Sequence, residues 1–209
     1  MKHPILLAIS ASLLAGAALA GSTEAPVFPV TQIAPPAAAD WSGFYAGGMV
    51  SFDSSDRLQF FEDGNPQAIT ALTSVTSFGG FAGYNIQSGS MVYGAELAIS
   101  SGGLYLTAAP DSHYQAVYDL KARVGYSFGN VLAYGVIGGS FSNLDQGVIE
   151  QYASSGFTYG AGVDYQFNQH MFVGVEYLVR DLSGAAATSP GLSTSATIQS
   201  AQLRVGWKF

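Results

Sequence analysis

Downstream of residue 40, apolar residues alternate with small or polar ones at a period of two. That period places successive side chains on opposite faces of an extended strand. In the first segment, Trp41 to Phe52, Phe44, Ala46, Gly48, Val50 and Phe52 share one face and Gly43, Tyr45, Gly47 and Met49 the other. The second, about Val75 to Asn85, sets Phe78, Gly80, Ala82 and Tyr84 together; the third, Met91 to Ser100, does so with Tyr93, Ala95, Leu97 and Ile99. The fourth, about Val117 to Phe128, aligns Tyr118, Leu120, Ala122, Val124, Tyr126 and Phe128. The fifth is Val131 to Phe141, where Gly138 and Gly139 blur the facing. The sixth, Phe157 to Phe167, groups Phe157, Tyr159, Ala161, Val163, Tyr165 and Phe167. Met171 to Arg180 is the seventh, with Met171, Val173, Val175, Tyr177 and Val179 on one side; about Ile198 to Phe209 is the eighth, with Leu203, Val205, Trp207 and Phe209. Strands of about 9–11 residues with one apolar face suit the bilayer. The pattern predicts an all-β fold, an eight-stranded antiparallel up-and-down transmembrane β-barrel.

The connections alternate too. Gln87-Ser88-Gly89, Gly129-Asn130 and Asn168-Gln169-His170 are short and carry turn residues. Between them lie long polar segments, about Asp53 to Ser74, Ser101 to Ala116, Ser142 to Gly156 and Asp181 to Thr197. Outer-membrane barrels have short periplasmic turns and longer extracellular loops. The alternation therefore places both ends of the barrel in the periplasm.

Charge then selects the inner face. Glu96, Asp119, Lys121, Arg123, Asp164, Glu176, Arg204 and Lys208 all oppose the apolar positions of their strands. A basic side chain facing lipid at the bilayer midplane costs about 2–4 kcal/mol, so these residues are expected in the lumen. Four acids and four bases in a narrow bore predict a closed, salt-bridged interior. Charges solvated by water in the bore are the alternative. Gly43, Gly47, Gly83, Gly125, Gly162 and Gly174 share the inward face and make room for large interior side chains. Trp41, Tyr84, Tyr126, Phe128, Tyr165, Phe167, Trp207 and Phe209 bunch at the periplasmic strand ends, as an aromatic girdle does. Asp53, Asp56, Glu62, Asp63, Asp111, Asp145 and Glu150 are assigned to the long loops, where solvation accounts for them without a cation bridge to lipopolysaccharide.

Composition narrows the classes. Of 209 residues 10% are charged, against about 25% in soluble domains, while 48% are hydrophobic. The chain has no cysteine, so no disulfide framework. Its net charge of −7 argues against nucleic-acid binding, which needs clustered bases. Residues 1–20 read as a signal peptide: Lys2, the apolar run Ile5 to Leu14, and a small-residue cleavage site at Ala18 and Ala20. Residues 21–40, with Pro26, Pro29, Pro35 and Pro36, form a Pro/Ala-rich periplasmic linker, and 41–209 the barrel.

The opening Trp41-Ser42-Gly43-Phe44-Tyr45-Ala46-Gly47-Gly48 resembles the first strand of the small porin-like outer-membrane β-barrel proteins, relatives of the opacity and OmpA/OmpX-type barrels. In order after it, Gly83-Tyr84-Asn85, Tyr93-Gly94-Ala95-Glu96, Lys121 to Tyr126, Gly160 to Tyr165, Val175 to Leu178 with Asp181-Leu182, and Leu203 to Phe209 resemble the later strands. The resemblance runs from Trp41 to the end. It implies an assembly signal at Leu203, Val205, Trp207 and Phe209, read by the barrel-insertion machinery. Met49 and Phe81 stand where the family tends to have polar inward residues, and Lys121 where it often has Arg, which points to a drier lumen.

The expected function is a non-enzymatic, integral outer-membrane protein with a structural or surface-interaction role. Its expected partners are outer-membrane lipids and lipopolysaccharide, the insertion machinery, and an unidentified surface ligand at the extracellular loops. No cofactor or metal is expected. A narrow porin-like diffusion channel is the alternative. A lipid A-modifying enzyme is the third reading, carried only by His113 beside Asp111 and Ser112 and by the inward carboxylates Asp164 and Glu176.

Overall fold

A computed structural model describes residues 39–55, 58–70, 74–101, 105–106, 109–114, 116–145, 151–186 and 191–209. The expected signal peptide, with Ala18 and Ala20, and most of the expected linker lie outside the described residues. The strands are β1 (Gly43–Ser54), β2 (Leu58–Glu62), β3 (Asn65–Thr70), β4 (Val75–Ser88), β5 (Met91–Ser100), β6 (Tyr105–Leu106), β7 (Ala109–Tyr114), β8 (Val117–Phe128), β9 (Val131–Asp145), β10 (Gln151–Gln166), β11 (Met171–Ala186) and β12 (Leu192–Lys208). Eight of them, β1, β4, β5, β8, β9, β10, β11 and β12, pair antiparallel in that order, and β12 pairs back onto β1. The closing register runs from Tyr45 opposite Lys208 to Ser54 opposite Gln199. Closure leaves no unpaired edge in the hydrocarbon, where no water is available to satisfy one.

The eight expected segments are these eight strands. β5 and β8 have the expected bounds, while β9, β10, β11 and β12 run four to six residues further at the end opposite the short turns. Much of two of the long loops is thus continued strand. The Ser- and Thr-rich sequence there lacks apolar alternation but keeps its backbone ladder. In the first loop β2 pairs β12 and β3 pairs β2, turning at Asp63 and Gly64; in the second, β6 and β7 form a hairpin, and β7 touches β9 through His113 and Tyr114.

The barrel is turned outward in its hydrophobicity. Phe44, Phe78, Leu97, Leu120, Val124, Ile137, Val175 and Leu203 are all exposed, because lipid and not protein covers them. Aromatic residues ring this belt twice. Tyr84, Tyr126, Phe128, Tyr165, Phe167, Trp207 and Phe209 form the girdle at the short-turn end, and Phe52, Phe78, Tyr118, Phe141 and Phe157 form a second one at the opposite end. From Phe157 to Phe167 the outward face advances ten positions. At about 3.3 Å per residue and about 40° of tilt that is roughly 25 Å, the height of an apolar outer-membrane band.

Trp41 does not belong to the girdle. It is 3% exposed and lies inside the periplasmic mouth. It precedes β1, so the strand's two-residue period does not govern its direction, and two hydrogen bonds draw it inward. Its backbone N–H donates to Gln87 Oε1 (2.7 Å) and its indole N–H to the carbonyl of Gly129 (3.2 Å).

The inward glycines sit under large side chains as expected. A Cβ at Gly47 would overlap the Phe81 ring, at Gly83 the Tyr45 hydroxyl, at Gly125 the Tyr134 and Leu132 side chains, at Gly162 the Tyr134 hydroxyl and at Gly174 the Asp164 carboxylate. Gly43 differs. It serves the turn into β1, with φ +114°, a conformation L side chains rarely adopt.

Candidate functional site

Even-numbered residues of β5, β10, β11 and β12 and odd-numbered residues of β1 and β8 point inward, so one parity per strand decides which charges meet. Glu96 on β5 is the hub. Its carboxylate lies 2.9 Å from Lys121 Nζ, 3.0 Å from an Arg123 guanidinium nitrogen and 2.5 Å from Arg204. Tyr45 also donates its hydroxyl to Glu96 Oε2 at 3.0 Å. Glu176 takes Lys121 at 2.5 Å and Arg204 at 2.6 Å; Asp164 takes Arg123 at 2.7 Å. Three carboxylates and three cations from five strands thus interlock across the bore, and their side chains are at most 3% exposed. A dry interior penalises lone charges heavily, and this one-to-one balance removes most of that penalty.

Aromatic rings complete the plug. The Arg123 guanidinium lies 3.8 Å from the Tyr134 centroid, and that of Arg204 lies 4.1 Å from the Phe81 centroid, both within cation–π range. Tyr45, Phe81 and Phe172 pack together on the periplasmic side of the network, with centroids 5.9–6.2 Å apart. Met49 on β1 and Phe81 on β4 are buried in the lumen.

A second cluster lies towards the extracellular end. Arg180 grips Asp119 with two nitrogens, Nε at 2.9 Å and a terminal one at 2.6 Å. Its other terminal nitrogen donates to Ser200 Oγ at 2.5 Å, and Ser200 in turn donates to Asp53. Ser51 and Ser77 also donate to Asp53, at 2.6 and 2.5 Å.

Seven of the eight residues expected in the network are there: Glu96, Asp119, Lys121, Arg123, Asp164, Glu176 and Arg204. Lys208 is not. It is half-buried at the periplasmic rim, where its ammonium donates to the carbonyl of Asp40. It lies one turn-proximal step below the last buried layer, so its long stem reaches water. Asp53, assigned to a loop, is instead an inward residue of β1. Arg180 was missed because it ends its predicted strand; its parity, shared with Glu176, carries the signal. The buried charges among the described residues are therefore five acids and four bases.

Of the loop acids, Glu62 and Asp63 are exposed; Asp56 and the side chains of Asp111, Asp145, Glu150 and His113 lie outside what is described. His170 is exposed in the last short turn, stacked on Trp207 at 5.3 Å. Leu203, Val205 and Trp207 face outward on the closing strand, and Phe209 just after it is exposed as well. Among the described residues no group of three or more His, Cys, Asp or Glu is placed to hold a metal.

A closed barrel that is apolar outside, belted by aromatics and charged within is an integral outer-membrane β-barrel protein. Comparison with known proteins identifies the lineage: residues 7–209 match the outer membrane protein beta-barrel domain model, and the chain belongs to that family. It is 30% identical over 194 residues to a 22 kDa outer membrane protein of Rhizobium leguminosarum bv. viciae, covering 89% of this chain and 82% of that one. It is 28% identical to a 31 kDa outer-membrane immunogenic protein of Brucella melitensis, covering 87% and 88%. Among solved structures, the outer membrane protein OprG of Pseudomonas aeruginosa matches 82% of this chain and 98% of its own at 17% identity, with a TM-score of 0.53, a likeness of fold. The chain is an outer-membrane protein of a Gram-negative bacterium.

Proposed function

We propose that the protein is a non-conducting, non-enzymatic scaffold of the envelope, which holds its extracellular strand extensions and loops at the cell surface for contact with a partner. The Glu96 hub carries this reading. It ties cations from β8 and β12 across the bore, so a permeating ion would have to break several buried ion pairs at once. The carboxylates that a paired-acid mechanism would use, Asp164 and Glu176, are occupied by Arg123 and by Lys121 and Arg204. A Brucella relative named as immunogenic supports surface exposure of the loops. Outer-membrane lipids, lipopolysaccharide and the insertion machinery are the partners this reading gives the barrel itself.

Planar-bilayer recording of the purified protein tests it. No openings are expected from wild type. Stable openings would establish a diffusion channel instead. Mass spectrometry of lipid A from expressing cells should show no shift; a shift abolished by His113→Ala would establish an enzyme.

A further inference from the structure

Behind Trp41 the lumen holds a small cavity whose inner wall includes Asn85, Arg123, Asp164 and Gln166 and whose periplasmic side includes Trp41, His170 and Lys208. Three polar atoms there are buried without a partner: Asn85 Oδ1, Gln166 Oε1 and Arg123 Nε. Asn85 and Gln166 lie on β4 and β10, opposite walls of the barrel, and Arg123 on β8 between them. A buried polar atom without a partner is costly, and such atoms in native proteins are usually bridged by internal water. The set is matched to water. Two amide oxygens accept, and one guanidinium N–H donates. A water molecule donates twice and accepts, and about three hydrogen bonds are typical of buried waters.

Trp41, the most deeply buried of these three rim residues, closes this cavity on the periplasmic side together with Lys208 and His170. It is fastened at two separate short-turn ends, through Gln87 at the end of β4 and Gly129 in the β8–β9 connection. The Gln87 backbone N–H donates to Ser42 Oγ at 3.1 Å, and Lys208 on β12 holds the carbonyl of Asp40. Phe172 meets the indole edge-on, with centroids 6.2 Å apart. Residues 40–42 therefore lie as a strap across the mouth, tied on three sides, and the indole is the part that enters the bore. These fastenings are side-chain contacts made outside the barrel ladder, so they can release without unpairing a strand.

We propose that the lumen contains a water-binding chamber, made by Asn85, Gln166 and Arg123, which Trp41 seals from the periplasm. The bound molecule is water, held above the seal and below the Glu96 network. The chamber does not depend on the envelope-scaffold reading; a conducting barrel would need the seal to open.

The chain has no cysteine, so a single Asn85→Cys substitution gives a unique probe inside the chamber. In folded protein in detergent, Asn85→Cys is expected to resist methanethiosulfonate-ethylammonium. In the Trp41→Ala background its labelling should rise by at least about tenfold, the effect of losing one hydrogen bond's worth of closure. Labelling that is equally fast with Trp41 present would overturn the seal. A Trp207→Phe protein keeps Trp41 as its one tryptophan and guards against misfolding of the cysteine variant. Its emission should be blue-shifted and shielded from acrylamide, and ready quenching would again remove the seal. The water is tested in the unmodified barrel by NMR: a long-lived water cross-peak at Arg123 Nε–H is expected, and a dry Nε–H would overturn the chamber.

Discussion

Arg204 and Glu96 sit on β12 and β5, across the bore, yet two guanidinium nitrogens reach the carboxylate at 2.5 and 3.1 Å. Arg204 also reaches Glu176 at 2.6 Å, so one side chain bridges two acids of different strands. A guanidinium suits this place because its donors form a rigid planar fork. The pairing determines how the interior should respond to mutation.

Replacing Glu96 by Ala leaves Lys121, Arg123 and Arg204 with one fewer acceptor each in a dry setting. The expected loss is about 3–5 kcal/mol, the cost of removing one partner of a buried pair. Thermal unfolding followed by heat-modifiable gel mobility measures it. Glu96→Gln keeps the shape and should lose less. An unchanged transition in Glu96→Ala would mean that water fills the bore.

Gly83 and Gly80 lie three positions apart on β4, on opposite faces. A side chain at Gly83 would strike the Tyr45 hydroxyl and ring, whereas at Gly80 it meets only the Gly47 carbonyl at 3.4 Å. Gly83→Val is expected to destabilise the barrel by about 1–3 kcal/mol or prevent its folding. Gly80→Val should fold like wild type. The same gel assay, run on both refolded variants, compares them.

Val163 lies near mid-belt on the outer face of β10, and Ser155 on the same strand lies outward just beyond the extracellular aromatic ring. Val163→Arg should cost about 2–4 kcal/mol in lipid vesicles, and Ser155→Arg close to nothing. Folding titrations into vesicles read both. Equal costs would mean that the bilayer boundary is misplaced.

Phe209 is the most exposed of the outward aromatics, at 75%, while its backbone N–H donates to the Phe44 carbonyl at 2.9 Å. Phe209→Ala keeps that backbone bond and removes the ring. If the ring is part of the assembly signal, the variant should accumulate in the periplasm while still refolding in vitro. Normal assembly in cells would show that Phe209 is not read.

The membrane-spanning part of the fold was legible because lipid and lumen impose opposite demands on alternate residues. Glu96, Asp119, Lys121, Arg123, Asp164, Glu176 and Arg204 were placed by that parity alone. The alternation fades where either demand weakens. Beyond the extracellular girdle the outward faces of β10, β11 and β12 no longer need apolar residues, and the inward ones mix hydroxyls with Leu182 and Ala196, so strand looked like loop, and Asp53 and Arg180 were lost with it. At the other end Trp41 stands ahead of the first ladder residue, and its direction depends on Gln87 and Gly129, which are distant in sequence. Which base meets which acid was not legible at all, since it depends on the stagger of the strands.

The seam between β1 and β12 has a consequence for the order of events in synthesis. The first strand of the barrel finds its second neighbour only in the last one to leave the ribosome. Until then β1 has an open edge, and the lumen charges have lipid or water where their partners should be. Contacts of such long sequence separation form slowly. The barrel can therefore close only once both of these strands are present.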